Sequence, residues 1–498
     1  MVKNLKEDYK KIAFAFFATM MVHFIKFVNH FPTWDSTDRG FNMPWSGMTN
    51  HGRWFSGILK RILASAYDLP WVEGVVSALF IALTIVIIIR LLGIENKIYQ
   101  FIAIAAFVTF PAITSTFAYM FWSPAYMCAL FMGVFSVYLC INFKPAVAIP
   151  VGAVLLTLSL ATYQLYVPFS LMVFVFFIAT RLLNAENKFR DYKLPIISLA
   201  VSLVIAAAIY VVVGKFAPDF FGVEVSEYQG VDTIGIMSIS QYIIAVKTSI
   251  AAFVNFFIGE AGITFYGIVN VIIAVAAVAL AIRFVIFKKD IKFIRRILIL
   301  VLFLLSIPLT YCFYFASEGV FYHTLMELGN YSVYLFVVII LDRNHEQIKP
   351  IFKRAVAGVL VVLCFYNFVN ANVAYQQMHM SYERTYFEMS EIMMQVDELK
   401  SEDVNTVAII GSFEKSNNLV KPVPSIMGAS TDNMLWIPVC VQKFSQHYLG
   451  RTLTLCSNDE YKAIKNSAEY EQMPVYPSKG SVAVIEGVIV IKLSNESK

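Results

Sequence analysis

The sequence has little charge and lacks the short motifs that identify several large enzyme classes. Only 15% of its 498 residues are charged while 58% are hydrophobic, and the mean hydropathy is +0.67, outside the range of soluble globular domains. There is no H-E-x-x-H, G-x-S-x-G or Walker A motif and no G-x-G-x-x-G after a strand, so the common zinc-protease, serine-hydrolase, nucleotide-motor and dinucleotide signatures are missing. The composition indicates a protein that lies mainly within the lipid bilayer. No motif indicates a cytoplasmic nucleotide enzyme.

Long apolar runs predict a polytopic α-helical membrane protein with about eleven transmembrane helices. Runs of about 16 to 25 residues are mostly long enough to cross about 30 Å of hydrocarbon as helices. They lie near 12–31, 71–92, 99–117, 124–143, 146–163, 164–183, 195–214, 263–287, 297–315, 326–341 and 355–374. No small-residue cleavage site follows Phe31, so we expect the first run to be retained as a helix.

Lysine and arginine concentrate in alternate loops, which predicts the orientation of the chain. The basic stretches lie near 3–11, 90–97, 144, 181–193, 288–296 and 343–354. A cytoplasmic N-terminus puts all of them on the cytoplasmic side of the membrane. The net charge of +5 comes from lysine and arginine residues in loops, where they set the orientation of the membrane helices. No nucleic-acid partner is therefore expected.

An odd number of spans exports everything from about residue 375 onward, where hydropathy falls. The sequence therefore predicts a transmembrane domain over 1–374 and an extracytoplasmic C-terminal domain over 375–498. The latter continues with the β-rich runs VNTVAII, RTLTLC and SVAVIEGVIVIKL, which predict a small α+β domain. Cys440 and Cys456 lie in this part, and the sequence leaves open whether they form a disulfide.

Two outward-facing stretches do not have the pattern of simple loops. Residues 53–66 repeat apolar residues at helical spacing with Arg53, Lys60 and Arg61 between them, which predicts a helix lying in the membrane interface. Residues 215–262 include 239–258, a segment apolar enough to dip into the interface without an obvious crossing.

The clearest cluster of charged residues follows the first apolar run. It reads Asp35-Ser36-Thr37-Asp38-Arg39 and is followed by His51-Gly52-Arg53 at the start of the interfacial helix. A carboxylate in a partly apolar cleft can act as general base toward a sugar hydroxyl, while an arginine binds phosphate through a bidentate fork. A sugar carried on a lipid phosphate presents both groups at this depth. The alternative is that acidic residues in this turn are solvated or cap the next helix.

Further polar residues lie within apolar runs or close to their ends. Lys26 lies in the outer half of the first run, Tyr163-Gln164 lies where the fifth run meets the sixth, and His323 follows the ninth. They are candidates for binding the donor phosphate or the substrate. The alternatives are that Lys26 extends to the surface, that Gln164 packs against other helices and that His323 is a solvated loop residue. No cofactor is assigned with certainty, and a divalent metal ion stays open.

Four features together resemble a known family. They are Trp34-Asp35-Ser36-Thr37-Asp38, the Gly52-Arg53-Trp54 opening of the interfacial helix, the Thr162-Tyr163-Gln164 step and an external C-terminal domain. The sequence resembles the polytopic GT-C glycosyltransferases, and among them the bacterial Gtr-type glucosyltransferases that modify O-antigen and convert serotype.

The resemblance implies an inverting transfer of one sugar, glucose or another hexose, from a polyprenyl-phosphate-linked donor to a cell-surface glycan on the outer face. It also implies that an acidic residue of the first outer loop is the base. Family members often have two adjacent acidic residues there, whereas Asp35 and Asp38 are separated by two residues. Either one is a candidate, with Asp35 favoured.

Two other functions compete with this one. A transporter or flippase of lipid-linked sugars is expected to show paired halves of similar hydropathy, interrupted helices and charges near the bilayer centre, none of which is clear here. A scaffolding protein with an exported binding domain needs far fewer spans. Charged residues clustered at the outer surface favour the glycosyltransferase.

Overall fold

The computed structural model describes residues 2–227, 235, 237–259, 264–317, 319–413, 421–429 and 438–495, and the side chains of these residues except 2–7, 38 and 39. The described part is mostly helical, as expected for a polytopic protein. In chain order, the helices before the C-terminal sheet are α1 Val2–Val22, α2 Phe24–Val28, α3 Ser36–Arg39, α4 Ser56–Leu63, α5 Pro70–Leu92, α6 Lys97–Val108, α7 Pro111–Ala118, α8 Ser123–Asn142, α9 Pro145–Leu160, α10 Tyr166–Leu182, α11 Lys193–Phe221, α12 Ile239–Val254, α13 Phe265–Ala281, α14 Phe293–Leu304, α15 Ser306–Thr310, α16 Ser332–Arg343 and α17 Pro350–Leu399.

Within the described ranges, 8 helical segments are long and apolar enough to cross a membrane by length and composition. One of them, Ile239–Gly259, is the segment predicted only to dip into the interface, and the others coincide with predicted runs. Helices α9 and α10 are apolar but shorter, and α16 has 12 residues. The protein is therefore a polytopic helical protein, and the number of about eleven spans stays a prediction.

Proline and glycine mark the ends of several of these helices. Pro70, Pro111 and Pro145 occupy the first turn of α5, α7 and α9, where the missing N–H has no helical partner to lose. Gly93 ends α5 in the left-handed conformation, at φ 64°. Pro111 also divides the predicted run 99–117 into two helices.

Helix α17 connects the membrane helices to the C-terminal sheet. Its 50 residues extend over about 75 Å at 1.5 Å each, whereas the hydrocarbon layer is about 30 Å thick. Its second half therefore has to leave the hydrocarbon. The helix is continuous across residues 374 and 375, so no break in the backbone marks the domain boundary that was predicted there from hydropathy.

The C-terminal region contains a four-stranded sheet with helices on both faces. In the order β2-β1-β4-β3, β1 is parallel to both β2 and β4, and β3 pairs antiparallel with β4. Its elements are β1 Thr406–Ile410, α18 Pro438–Tyr448, β2 Thr454–Leu455, α19 Asn458–Lys465, α20 Ala468–Gln472, β3 Val482–Ile485 and β4 Val488–Lys492. The strands lie in the three β-rich runs of the sequence. Val407 and Ile409 pack with α17 and α18, whereas Ala408 and Ile410 pack on the opposite face with α19 and α20.

No disulfide joins Cys440 and Cys456. Cys440 is buried in α18, and its thiol donates a hydrogen bond to the backbone oxygen of Trp34 at 3.7 Å. Cys456 follows β2 and packs on the other face of the sheet, with Ile464. The sheet therefore separates the two sulfur atoms.

A buried ion pair holds the predicted interfacial helix, which is α4, against α5. Lys60 Nζ lies 2.8 Å from Glu73 Oε1, and both side chains are 0% exposed. Lys60 also donates a hydrogen bond to the backbone oxygen of Tyr67 at 2.5 Å. On the exposed side of α4, the Arg61 guanidinium lies 4.4 Å from the centre of the Trp45 ring. The buried side of α4 is thus held against α5 by an ion pair as well as by apolar packing.

We expect Lys60→Met to destabilise the protein, because it removes the cation that lies 2.8 Å from the buried Glu73 carboxyl group. Removing one member of a buried ion pair costs about 3–5 kcal/mol. The double variant Lys60→Met/Glu73→Gln removes both charges and should recover most of this loss. Thermal unfolding of the purified protein in detergent measures both effects. An unchanged Tm for Lys60→Met would contradict the role of the pair.

Candidate functional site

A cavity of about 260 Å³ lies between the loop after α2, the ends of several membrane helices and residues 421–429. The cavity is close to the lower end of the range of small-molecule pockets, which is about 300–1,000 Å³. Six of the predicted site residues line it, namely Asp35, His51, Arg53, Tyr163, Gln164 and His323.

The Arg53 guanidinium is held by one residue of α8 and by two residues of the connection between α9 and α10. Its Nε donates a hydrogen bond to Gln164 Oε1 at 3.1 Å, and its Nη1 donates to the Tyr126 hydroxyl at 3.1 Å. Its central carbon lies 4.6 Å from the centre of the Tyr163 ring. These contacts fix the direction of the guanidinium at the cavity.

Gln164 joins this arginine to the backbone that precedes it. Its Nε2 donates hydrogen bonds to the backbone oxygen of His51 at 2.9 Å and to the Tyr210 hydroxyl at 3.3 Å. Gly52 is required at this position: it has φ 73°, and a Cβ atom there would lie 2.8 Å from the Tyr210 oxygen. The sequence Gly52-Arg53 therefore allows the close approach that puts Arg53 beside Gln164.

Asp35 lies in a short turn stabilised by its neighbours. The Ser36 hydroxyl accepts a hydrogen bond from the Thr33 N–H at 2.9 Å, and the Thr37 hydroxyl donates to the Trp34 backbone oxygen at 2.7 Å. The turn packs against α18, where Cys440 contacts the same Trp34 oxygen. Asp35 is thereby held between the cavity and the C-terminal sheet domain.

His323 brings a neutral imidazole to the cavity. Burial, with a smaller contribution from the Arg53 charge, lowers its pKa to about 4. At neutral pH the ring is therefore uncharged. Its buried Nδ1 has no hydrogen-bond partner among the described residues, so it can still form a hydrogen bond to a ligand.

Lys26, Asp38 and Arg39 are not brought to the cavity by the described contacts. Lys26 is only 2% exposed and donates a hydrogen bond to the Phe31 backbone oxygen at 2.5 Å, close to Asp68 and Glu73. It does not extend to the surface, and its charge lies near those of Asp68 and Glu73. The side chains of Asp38 and Arg39 lie outside the described residues.

Several cavity residues were not predicted from the sequence. Tyr126 lies in the apolar run that forms α8, Trp122 immediately precedes that helix, and Met427 lies in the C-terminal region. An aromatic residue at the end of an apolar run usually marks the membrane interface, and an isolated methionine carries no signal. Among the described residues, no group of three or more His, Cys, Asp or Glu side chains is placed to hold a metal ion.

Comparison with known protein families shows to which family the chain belongs. Residues 24–341, more than half of the sequence, match the family described as Glucosyl transferase GtrII. The chain belongs to this family. Comparison with curated proteins and with solved structures gave no match.

Membership of the GtrII family confirms the predicted resemblance to Gtr-type glucosyltransferases. The protein is thus a glycosyltransferase with a sugar donor and an acceptor as substrates. The match includes every predicted site residue, from Lys26 to His323, and ends within α16. Helix α17 and the C-terminal sheet of this GtrII member lie outside it.

The low pKa of His323 predicts a pH-dependent loss of stability. The unfolded side chain takes up a proton near its ordinary pKa of about 6.5, whereas the folded one resists until about pH 4. Stability from this group is complete above pH 6.5 and is lost as the pH falls toward 4, by on the order of 2 kcal/mol at pH 5. His323→Asn should therefore show a smaller fall in Tm between pH 7 and pH 5 than the wild type.

The exposed residue His345 offers the control for this experiment. His345→Asn accounts for the loss of a histidine in general, at a position far from the cavity. If His323→Asn and wild type lose the same stability on acidification, the buried neutral imidazole is not the cause.

Proposed function

We propose that this GtrII family member transfers a hexose, with glucose as the first candidate, from a polyprenyl-phosphate-linked donor to a cell-surface glycan. The reaction takes place at the outer face of the bacterial inner membrane and inverts the anomeric carbon. The observation that carries the proposal is that Asp35 and Arg53 line the same cavity. A carboxylate and a cation in one cavity are the two groups that transfer from a sugar phosphate needs.

Arg53 binds the donor phosphate in this proposal. Its guanidinium is oriented by Gln164 and Tyr126, so it meets the phosphate without rearrangement. As the bond between the sugar carbon and the phosphate oxygen breaks, negative charge develops on the leaving polyprenyl phosphate, and the arginine stabilises it. His51, Tyr163, Gln164 and His323 complete the binding of the phosphate and the sugar.

Asp35 is the general base. It accepts the proton of the acceptor hydroxyl while the hydroxyl oxygen attacks the anomeric carbon from the side opposite the phosphate. One carbon–oxygen bond forms and one breaks, the polyprenyl phosphate leaves, and a single displacement inverts the configuration. Because the His323 ring is neutral, it adds a hydrogen-bonding group to the cavity without adding a second positive charge beside that of Arg53.

The family and the cavity both favour transfer over transport. A flippase for lipid-linked sugars would require a path for charge through the helical part. The cavity described here lies at one face, and its polar residues come from loops and helix ends. Asp35 and Asp38 remain the two candidates for the base, with Asp35 favoured because it lines the cavity.

We expect Asp35→Asn to lower the rate of sugar transfer by about 10²–10⁴-fold, the usual contribution of a general base. Transfer from polyprenyl-phosphate glucose is measured in membranes. Asp403→Asn, in an exposed turn before β1, is the matched control and should keep full activity. If Asp38→Asn loses activity while Asp35→Asn keeps it, Asp38 is the base. Full activity in both single variants and in the double variant contradicts the mechanism.

The proposed orientation has the N-terminus in the cytoplasm and the C-terminal sheet outside. In protein with the partly exposed Cys312 and Cys456 replaced by Ser, cysteines at Lys289, between α13 and α14, and at Ser457, before α19, should then react differently with a membrane-impermeant maleimide in intact spheroplasts. We expect labelling of Ser457→Cys and no labelling of Lys289→Cys until the membrane is opened. Labelling of both from the same side contradicts the orientation.

A further inference from the structure

Residues 422–429, which we call the wedge, follow β1 in the chain but pack inside the helical part. Within the wedge, Ile426 and Ala429 are 0% and 1% exposed and belong to the same buried cluster as the membrane helices. The core residues of β1 and α18, which precede and follow the wedge, belong to the clusters around the sheet. The wedge therefore leaves the sheet domain and inserts into the helices.

Asn370 on α17 holds the start of the wedge through both ends of its side-chain amide. Its Oδ1 accepts a hydrogen bond from the Val423 N–H at 2.7 Å, and its Nδ2 donates to the Pro424 oxygen at 3.3 Å. The asparagine is 5% exposed. A buried amide is costly unless both of its polar ends are paired, and here the backbone of the wedge supplies both partners.

Two further side chains hold the rest of the wedge by its backbone. The Ser115 hydroxyl on α7 donates to the Met427 oxygen at 2.8 Å, and the Thr324 hydroxyl donates to the Ser425 oxygen. Both donors are buried. The helices α7 and α17 and the stretch after α15 therefore all hold the wedge through its main-chain atoms.

Gly428 lets the wedge come into contact with the cavity wall. It has φ 92°, in the left-handed region, and a Cβ atom there would lie 2.8 Å from Tyr119 Cε2 and 2.9 Å from Ala118 Cβ. Tyr119 and the preceding wedge residue, Met427, both line the cavity. The close approach at Gly428 therefore fixes where the Met427 side chain meets the cavity.

We propose that the wedge is a permanent wall of the sugar-binding cavity and that Met427 determines which sugar fits. This inference rests on the proposed function. The wedge lies outside the residues that match the family, so this wall is supplied by the C-terminal region alone. The methionine presents an apolar, adaptable side chain beside Tyr119 and Trp122, a surface suited to the apolar face of one hexose ring.

The expected selectivity follows from size. An N-acetylhexosamine differs from a hexose by an acetamido group of four heavy atoms in place of one hydroxyl oxygen. Replacing Met427 by Ala removes three heavy atoms from the cavity wall. Differences of one methylene group in an apolar pocket change specificity by about 10–200-fold, so this exchange is large enough to alter the preference between the two sugars.

The first test measures insertion of the wedge without using activity. In purified protein in detergent, with the partly exposed Cys312 and Cys456 replaced by Ser, new cysteines are placed at Lys421, just before the wedge, or at Ile426. Lys421→Cys, at an exposed position, should react rapidly with a bulky maleimide, and Ile426→Cys should be at least tenfold slower. Adding Asn370→Ala should speed the reaction at Ile426→Cys. Equal rates at the two positions would overturn the inserted wall.

The second test measures specificity as the ratio of kcat/KM for polyprenyl-phosphate glucose to that for polyprenyl-phosphate N-acetylglucosamine. We expect Met427→Ala to lower this ratio by about tenfold or more. Met427→Phe should raise it, and Lys421→Ala should leave it unchanged. An unchanged ratio in active Met427→Ala and Met427→Phe variants overturns the specificity role even if the wedge is inserted.

The two tests separate this inference from the proposed function. If the wild type transfers neither sugar from polyprenyl phosphate, the proposed function fails and the specificity role fails with it. A protected Ile426→Cys then still supports the wedge as a built-in wall of the cavity. If transfer occurs and Ile426→Cys reacts freely, the proposed function stands and the wedge does not.

Discussion

The side-chain amide of Gln164 connects three parts of the chain on which the cavity depends. It accepts a hydrogen bond from Arg53 and donates to the His51 backbone and to the Tyr210 hydroxyl. An amide packed among apolar helices is stable only when its polar atoms are paired, so these three partners have to converge on it. The direction of the Arg53 guanidinium follows from this convergence, and with it the position of positive charge in the cavity.

The same constraint acts at other points of the helical part. Lys60 and Glu73 pair between α4 and α5, and Asn370 pairs with the backbone of the wedge. In each case a polar side chain on one helix is satisfied by a different element of the fold. Polar residues that are costly in an apolar core thereby become the contacts that specify which segments lie together.

Most of the residues that line the cavity lie within the family match, whereas Met427 lies outside it. Asp35, Arg53 and His323 lie within the residues that match the GtrII family, whereas Met427 comes from the C-terminal region. The turn that carries Asp35 also contacts α18 through the Trp34 oxygen. The C-terminal region therefore reaches the site at two places, which gives it a direct physical route to influence sugar transfer.

The amino-acid sequence by itself determined the helices, the strands of the C-terminal sheet and most of the candidate site, because apolar length, period and local charge are properties of neighbouring residues. It indicated Asp35, Arg53 and Gln164 from their places at the ends of apolar runs. Only the tertiary structure decided that these residues share one cavity, that Lys26 is buried near Asp68 and Glu73, and that Tyr126 and Met427 also line the cavity. Such contacts join residues from distant helices, and they depend on how all the helices pack, which no local pattern in the chain encodes.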